Sequence, residues 1–239
     1  LMLMIDIPYS TISVSGADAF DFLQAQLAAD LAQLPETGLA AWCNPKGRVI
    51  CLFRVRQTAD GYDLALPTEL ADAVIKRLAM FRFRSKVEFA AGDVDAALLG
   101  IVRDYNDWRL ANLRAGIPEI LVAQSEEFTP HMLNLDLLDA ISFDKGCYTG
   151  QEIVARTHYK GATRRRTLRF ACDGPAAPGD KVRHGDRDVG TVLNVAGTEL
   201  LAVVPLEKAD DVLFIGEAPL DRLPLAYEQA VSRETAGET

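Results

Sequence analysis

The sequence predicts an α+β fold in which helices pack on a mostly antiparallel sheet, followed by a small β-barrel or sandwich. Short alternating runs between turn residues, two stretches with apolar residues three and four apart, and a change of composition after Gly161 carry this reading. Thr11 to Val14 alternates like a strand, and Ser15 is placed to cap a following helix. That helix bears Phe20, Leu23, Leu27, Leu31 and Leu34 and is expected to end at Pro35 and Gly38. Leu39 to Cys43 and Arg48 to Gln57 read as strands joined by an Asn44-Pro45-Lys46-Gly47 turn. Asp60-Gly61 then turns the chain into Tyr62 to Leu66. A second helix begins near Thr68 and Glu69, with Leu70, Val74, Leu78 and Phe81 as its buried face. Val87 to Phe89 and Ala96 to Arg103 read as two more strands. Beyond Gly161, turn signals at Asp173-Gly174-Pro175, Pro178-Gly179-Asp180, His184-Gly185-Asp186 and Ala196-Gly197 separate β-rich runs at 168–171, 188–195 and 200–204. The expected division is an α+β unit over 1–160 and a β unit over 161–239, with a polar tail from Ser232 that frays.

A chain of 239 residues with 49% hydrophobic residues has ample material for a core. Its net charge of −9 argues against strong direct nucleic-acid binding, which normally calls for a basic excess. Leu1 to Ile7 is apolar but lacks a basic stretch and meets Asp6 and Pro8 early, so no signal peptide or membrane span is expected and the cytoplasm is the simplest placement. The cysteines at 43, 51, 147 and 172 form no C-x-x-C pair, and His131, His158 and His184 lack ligand spacing. No metal site or disulfide framework is expected.

Chemistry concentrates between Phe143 and Arg156. Thr149 followed by Glu152, ahead of Ile153 and Val154, reads as a capping box that opens a helix. Cys147 then lies just outside that helix with Lys145 nearby, a setting that favours thiolate; the alternative is a small buried hydrophobe in a turn. Gly146 and Gly150 flank the Cys147-Tyr148-Thr149 turn and permit positive φ or close approach of a ligand. Gln151 offers donor and acceptor to a ligand, Glu152 divides between capping and ligand contact, and Tyr148 packs or stacks.

The string Lys145-Gly146-Cys147-Tyr148-Thr149-Gly150-Gln151-Glu152 resembles the signature of the YgfZ family, folate-binding proteins related to the T-protein (aminomethyltransferase) of the glycine cleavage system. The similarity continues through Ile153 to Arg156 and Gly161-Ala162, back through Asn134-Leu135 and Ile141-Ser142-Phe143, and into Gly16-Ala17-Asp18, Gln26, Asp30 and Cys43 to Arg48. The resemblance implies a T-protein-like folate-binding domain with an antiparallel sheet and packed helices, plus a small C-terminal β-barrel. It also implies tetrahydrofolate as cofactor and a role in assembly or repair of iron–sulfur clusters in client enzymes, including those that modify tRNA. Cys147 would carry the chemistry, with Lys145, Gly146, Tyr148, Gly150, Gln151, Glu152 and Arg156 shaping the site. The region between Asp104 and Asn112 looks shortened, passing almost directly from one strand-like run to the next.

The T-protein places its pterin-binding glutamate in a Leu-Glu-Ala-Gly element, matched here by Leu113-Arg114-Ala115-Gly116. Arg114 cannot accept the pterin N–H groups; it is either a partner for a folate glutamate tail or a surface arginine. Where the T-protein has an aspartate near the reactive nitrogens, this chain has Ile50, Cys51 and Leu52, which argues against aminomethyl transfer. A folate-dependent one-carbon transferase and a non-catalytic binding module remain the alternatives to the accessory role. The basic run Arg156, His158, Lys160, Arg164, Arg165, Arg166 and Arg169 is either a site for polyglutamylated folate, an acidic partner or RNA phosphates, or a solvated face.

Overall fold

The computed structural model describes residues 7–161 and 163–227. The readings on Leu1 to Asp6, Ala162 and the tail from Ser232 lie outside the described residues. Five strands form one antiparallel sheet: β1 (Tyr9–Ser15), β2 (Thr37–Cys43), β3 (Val49–Thr58), β4 (Gly61–Pro67) and β5 (Glu88–Asp93), in the spatial order β2-β3-β4-β1-β5. Alternation along β2 sends Ala40 and Trp42 to one face and Leu39, Ala41 and Cys43 to the other. Both faces are covered. On the first, α1 (Ala19–Gln26) and α2 (Thr68–Met80) bury Phe22, Leu23, Leu70, Val74 and Leu78 against Ile12, Phe53 and Leu64. The second face meets the irregular 116–150 segment, α5 (Gln151–Lys160) and part of the barrel, through a cluster that includes Leu113, Leu133, Tyr148, Val154, Leu193 and Leu201.

A closed barrel follows. Its strands are β6 (Arg165–Ala171), β7 (Lys181–His184), β8 (Arg187–Ala196), β9 (Glu199–Pro205), β10 (Leu213–Ile215) and β11 (Ala218–Leu223), ordered β10-β11-β6-β9-β8-β7. Phe214 opposite Arg183 joins the ends, leaving no open edge. Of these strands β6, β8 and β9 match predicted runs, whereas β7, β10 and β11 were not anticipated.

The first helix departs from expectation. It stops at Gln26; Leu27 is extended and bridges Trp42, and the Asp30 carboxylate accepts from Ala32 N to start a separate 3-10 turn over Leu31–Gln33. Ser15 does not cap α1, whose N-cap position is Asp18 without a side-chain capping bond. The strand expected at 96–103 is instead α3 (Ala96–Leu99), opened by Asp95 accepting from Ala97 N and closed by Gly100 at φ 74°. The supposed direct passage from 104 to 112 is α4 (Tyr105–Arg114), with the Asp104 carboxylate capping Asp107 N. In both cases an aspartate cap sets the helix start where apolar periodicity is weak.

Candidate functional site

The signature segment is pinned by Lys145. Its ammonium donates to Gln24 O (2.7 Å), Leu27 O (2.8 Å) and Ala29 O (2.7 Å), with Gln24 Oε1 at 3.2 Å. These acceptors are the carbonyls released where α1 ends, so the cation closes that terminus rather than serving Cys147. Burial pulls the Lys145 pKa down to about 8 against the opposing pull of Asp30. The ammonium also lies 5.4 Å above the ring of Tyr148, which is buried, with a hydroxyl that has no hydrogen-bond partner among the described residues.

The capping box does not form. Gly150, not Thr149, is the N-cap of α5, with φ 82° and no side-chain cap; Thr149 Oγ1 instead points to Gln26 Oε1 at 3.5 Å. Gly150 is required sterically, because a Cβ there would meet Asn44 O at 2.5 Å and Cys43 Cβ at 3.2 Å. Gly146 carries no such constraint: its φ is ordinary and a Cβ would meet nothing within 4 Å. Glu152 and Arg156 are exposed on α5, and Gln151 is half-buried. Cys147 is exposed, whereas Cys43, Cys51 and Cys172 are buried. The buried-hydrophobe reading of Cys147 is therefore wrong. Within the segment Gly146 and Cys147 are exposed, Lys145, Thr149 and Gly150 half-buried, and Tyr148 buried.

The basic run disperses. Arg166 is fully buried on Asp136 (2.9 Å), Arg165 donates to Val189 O, and Arg169 pairs with Glu199 (2.6 Å), leaving Arg156, His158, Lys160 and Arg164 exposed. His158 stacks on Phe143, ring centres 3.7 Å apart. Arg114 donates through Nε and Nη2 to Glu199 Oε1 and does not line the cleft described next.

A cleft of about 480 Å³, its open mouth included, lies elsewhere on the same sheet face, between β3, α4 and β8. Leu39, Leu52, Leu113, Ile117 and Pro118 form apolar walls; Arg54, Arg109, Asn112, Glu119 and Asn194 supply polar groups. Glu119 accepts from Tyr9 OH (3.1 Å) and Tyr105 OH (2.9 Å) and forms an ion pair with Arg109 Nε at 3.3 Å. Asn194 holds that residue's backbone in a reciprocal pair, at 2.9 and 2.8 Å. Burial, reinforced by the Glu119 charge, raises the phenol pKa of both Tyr9 and Tyr105. Arg54 donates to Asn112 Oδ1 (2.7 Å) and lies 5.2 Å over Trp108; burial lowers its pKa. None of the predicted site residues lines this cleft. Leu39 marks its side of β2 and Cys43 the signature side, four residues or roughly 13 Å of strand apart. Sequence reasoning missed Tyr9, Arg54, Trp108 and Glu119. The signal for Glu119 was its place three residues past the Leu113 to Gly116 run, and that for Trp108 and Arg109 lay in a helix read as a bare crossing.

Comparison with known proteins places this geometry. The family described as CAF17, C-terminal beta-barrel domain, matches residues 164–225, the barrel itself. An uncharacterized protein of Haemophilus influenzae is 30% identical over 199 residues, covering 68% of this chain and 70% of its own. The tRNA-modifying protein YgfZ of Enterobacter sp. (strain 638) is 28% identical, over 77% of this chain and 78% of its own. The chain belongs to the YgfZ family. The alignment with that YgfZ protein runs to 254 residues, longer than the chain, so the relative has positions that are absent here, in keeping with a shortened form. Glycine cleavage system aminomethyltransferase T from Bartonella henselae shares the fold, with a TM-score of 0.67 over 90% of this chain and 82% of that one at 13% identity. No described helix of this YgfZ-family chain is long and apolar enough to cross a membrane.

Proposed function

We propose that this protein is a cytoplasmic, tetrahydrofolate-binding accessory factor that supports assembly or repair of iron–sulfur clusters in client enzymes, including those that modify tRNA. The folate-binding unit is assigned to 1–160 and the barrel unit to 161–239. One observation carries the reading: the cleft between β3, α4 and β8 combines apolar walls with a carboxylate and two guanidinium groups. A pteridine has a flat apolar body and an edge of N–H donors and a carbonyl, so the residues present fit it. Glu119 is a carboxylate with about four acceptor sites, two of them engaged by the Tyr9 and Tyr105 hydroxyls, with Arg109 as its ion-pair partner, and it replaces the acceptor lost at Arg114. Arg54 and Arg109 suit carbonyl or carboxylate oxygens.

Bound tetrahydrofolate supplies an electron-rich ring and one-carbon carriage. The protein's own residues hold and shield it. Leu52 lines the cleft with no carboxylate beside it on Ile50 or Cys51, and this favours a binding role over aminomethyl transfer. Cys147, exposed in the signature segment and outside this cleft, is the thiol available to a client's sulfur or iron species.

Calorimetry with mono- and polyglutamylated tetrahydrofolate tests the reading. Micromolar or tighter binding is expected, with Glu119→Gln about tenfold weaker through loss of one charge-assisted hydrogen bond. Arg114→Ala should bind as the parent does. No binding by the folded parent chain overturns the folate assignment.

A further inference from the structure

The molecule carries a second groove at the opposite end of the sheet from the signature segment. It lies where the β1–α1 turn, the β3–β4 hairpin and the loop from α2 to β5 meet, and Phe20, Phe83, Arg82, Arg84 and Lys86 line it. Phe83 is 87% exposed and Phe20 40%. Exposure of Phe83 is not the relaxed outcome. Ser85 N donates to Arg82 O (2.7 Å), closing a turn in which Phe83 takes the first central position at φ 41°. Glycine is favoured at such a position, and a bulky aromatic there is strained. A strained residue that presents an aromatic ring to water points to a contact made outside the chain.

Charge narrows the partner. Arg82, Arg84 and Lys86 are exposed, and no side-chain ion pair or hydrogen bond engages them among the described residues, in a protein of net charge −9. Most other arginines around the sheet are paired: Arg56 with Asp63 and Asp95, Arg77 with Glu126, Arg109 with Glu119. Asp60 and Glu88 also line the groove, which disfavours a long polyanion beyond the three cations. Glu88 starts β5, the edge strand of the sheet, whose outer backbone groups suit pairing with an extended peptide. Two copies paired along the full length of β5 would set Glu88 against Asp93, a like-charge contact that opposes self-association.

We propose that this groove docks a short, extended acidic segment of a partner protein, with an aromatic or large apolar side chain seated on Phe83 and Phe20 and its carboxylates on Arg82, Arg84 and Lys86. The proposal does not depend on folate binding. The test uses the full chain and fluorescence anisotropy with four labelled probes: a twelve-residue acidic peptide containing tryptophan, the same peptide with alanine for tryptophan, a basic tryptophan peptide, and a twelve-nucleotide uridine RNA. The acidic tryptophan peptide should bind saturably and weaken at least tenfold in Phe83→Gly and in the Arg82→Glu, Arg84→Glu pair. Raising the salt should weaken it as well. Because glycine relieves the turn, Phe83→Gly should raise the melting temperature while binding is lost. The proposal is overturned if that peptide does not bind, or if the basic peptide or the RNA binds more tightly. A lower melting temperature for Phe83→Gly would make the ring a packing element and overturn it too, as would a dimer in sedimentation that Phe83→Gly abolishes.

Discussion

At the residue scale, neighbours in sequence need not serve each other. Lys145 sits two positions before Cys147, yet its charge is directed to the carbonyls of Gln24, Leu27 and Ala29. Lys145→Met keeps the stem and removes the ammonium, stranding those carbonyls. Chemical denaturation should show a loss of about 1–3 kcal/mol, the cost of leaving buried acceptors unmade. Cys147 has the reverse character: exposed, it gives up little packing, so Cys147→Ser should leave stability within about 0.5 kcal/mol. Burial raises the Cys43 thiol to about 12 and the Cys51 thiol higher still. Native alkylation at pH 8 with mass-spectrometric site assignment should therefore label Cys147 well before Cys43 and Cys51; equal rates would mean those buried thiols open readily. The sequence left Cys147 between an exposed thiolate and a buried hydrophobe, and the local signals for the first, a capping box and Lys145, are not the ones that hold in the structure. The direction of the Lys145 ammonium was not legible either, because its carbonyl cage is assembled by residues more than a hundred positions away.

At the scale of elements, the strongest constraint joins α5 to the β2–β3 turn. Gly47 and Gly150 both have positive φ, and a Cβ on Gly47 would meet Ile153 at 2.9 Å. Gly150→Ala should cost about 1–3 kcal/mol, from a left-handed backbone that alanine resists together with the contact to Asn44 O. A melting curve of the purified variant measures it, and Gly146→Ala, with open space around it, is the matched control expected to be silent. Strands β2, β3 and β4 were legible because alternation with Asn-Pro-Lys-Gly and Asp-Gly turns is a local signal. Helix α4 was not. Its only buried residue is Leu113, and it is held by an Asp104 cap, the Trp108 indole donating to Leu99 O, and arginines bonded across to the barrel. A helix fixed mainly by polar tertiary contacts leaves no apolar stripe to read, and the cleft it builds was lost with it.

For the whole molecule, the question is what holds the barrel to the sheet, since the candidate cleft lies between them. Apolar packing of Leu193, Leu201 and Val203 against Ala41, Leu52 and Leu113 supplies the bulk. Two charged clamps fix the geometry. Arg166 is wholly buried and donates to Asp136 twice, to Asn134 Oδ1 and to His131 O, so Asp136→Ala should cost about 3–5 kcal/mol by stranding a buried guanidinium, read by denaturant titration. The second clamp is Glu199 on β9, which Arg114 from α4 and Arg169 from β6 both address. The Arg114 hydrogen bond, aided by Arg169, holds the Glu199 pKa below the ordinary glutamate value of about 4.3. The unfolded chain therefore takes up this proton first as pH falls. Stability from the clamp is complete above the ordinary value and is lost as pH drops through the lower folded one. Glu126 behaves alike, held down by the Asn44 amide and then Arg77, so it adds to the same acid decline. Glu199→Gln should thus be less stable than the parent at neutral pH, yet lose stability less steeply between pH 5 and pH 3, because one proton fewer is taken up on unfolding. Parallel slopes for variant and parent over that range would show that Glu199 does not carry the acid sensitivity of the junction between sheet and barrel.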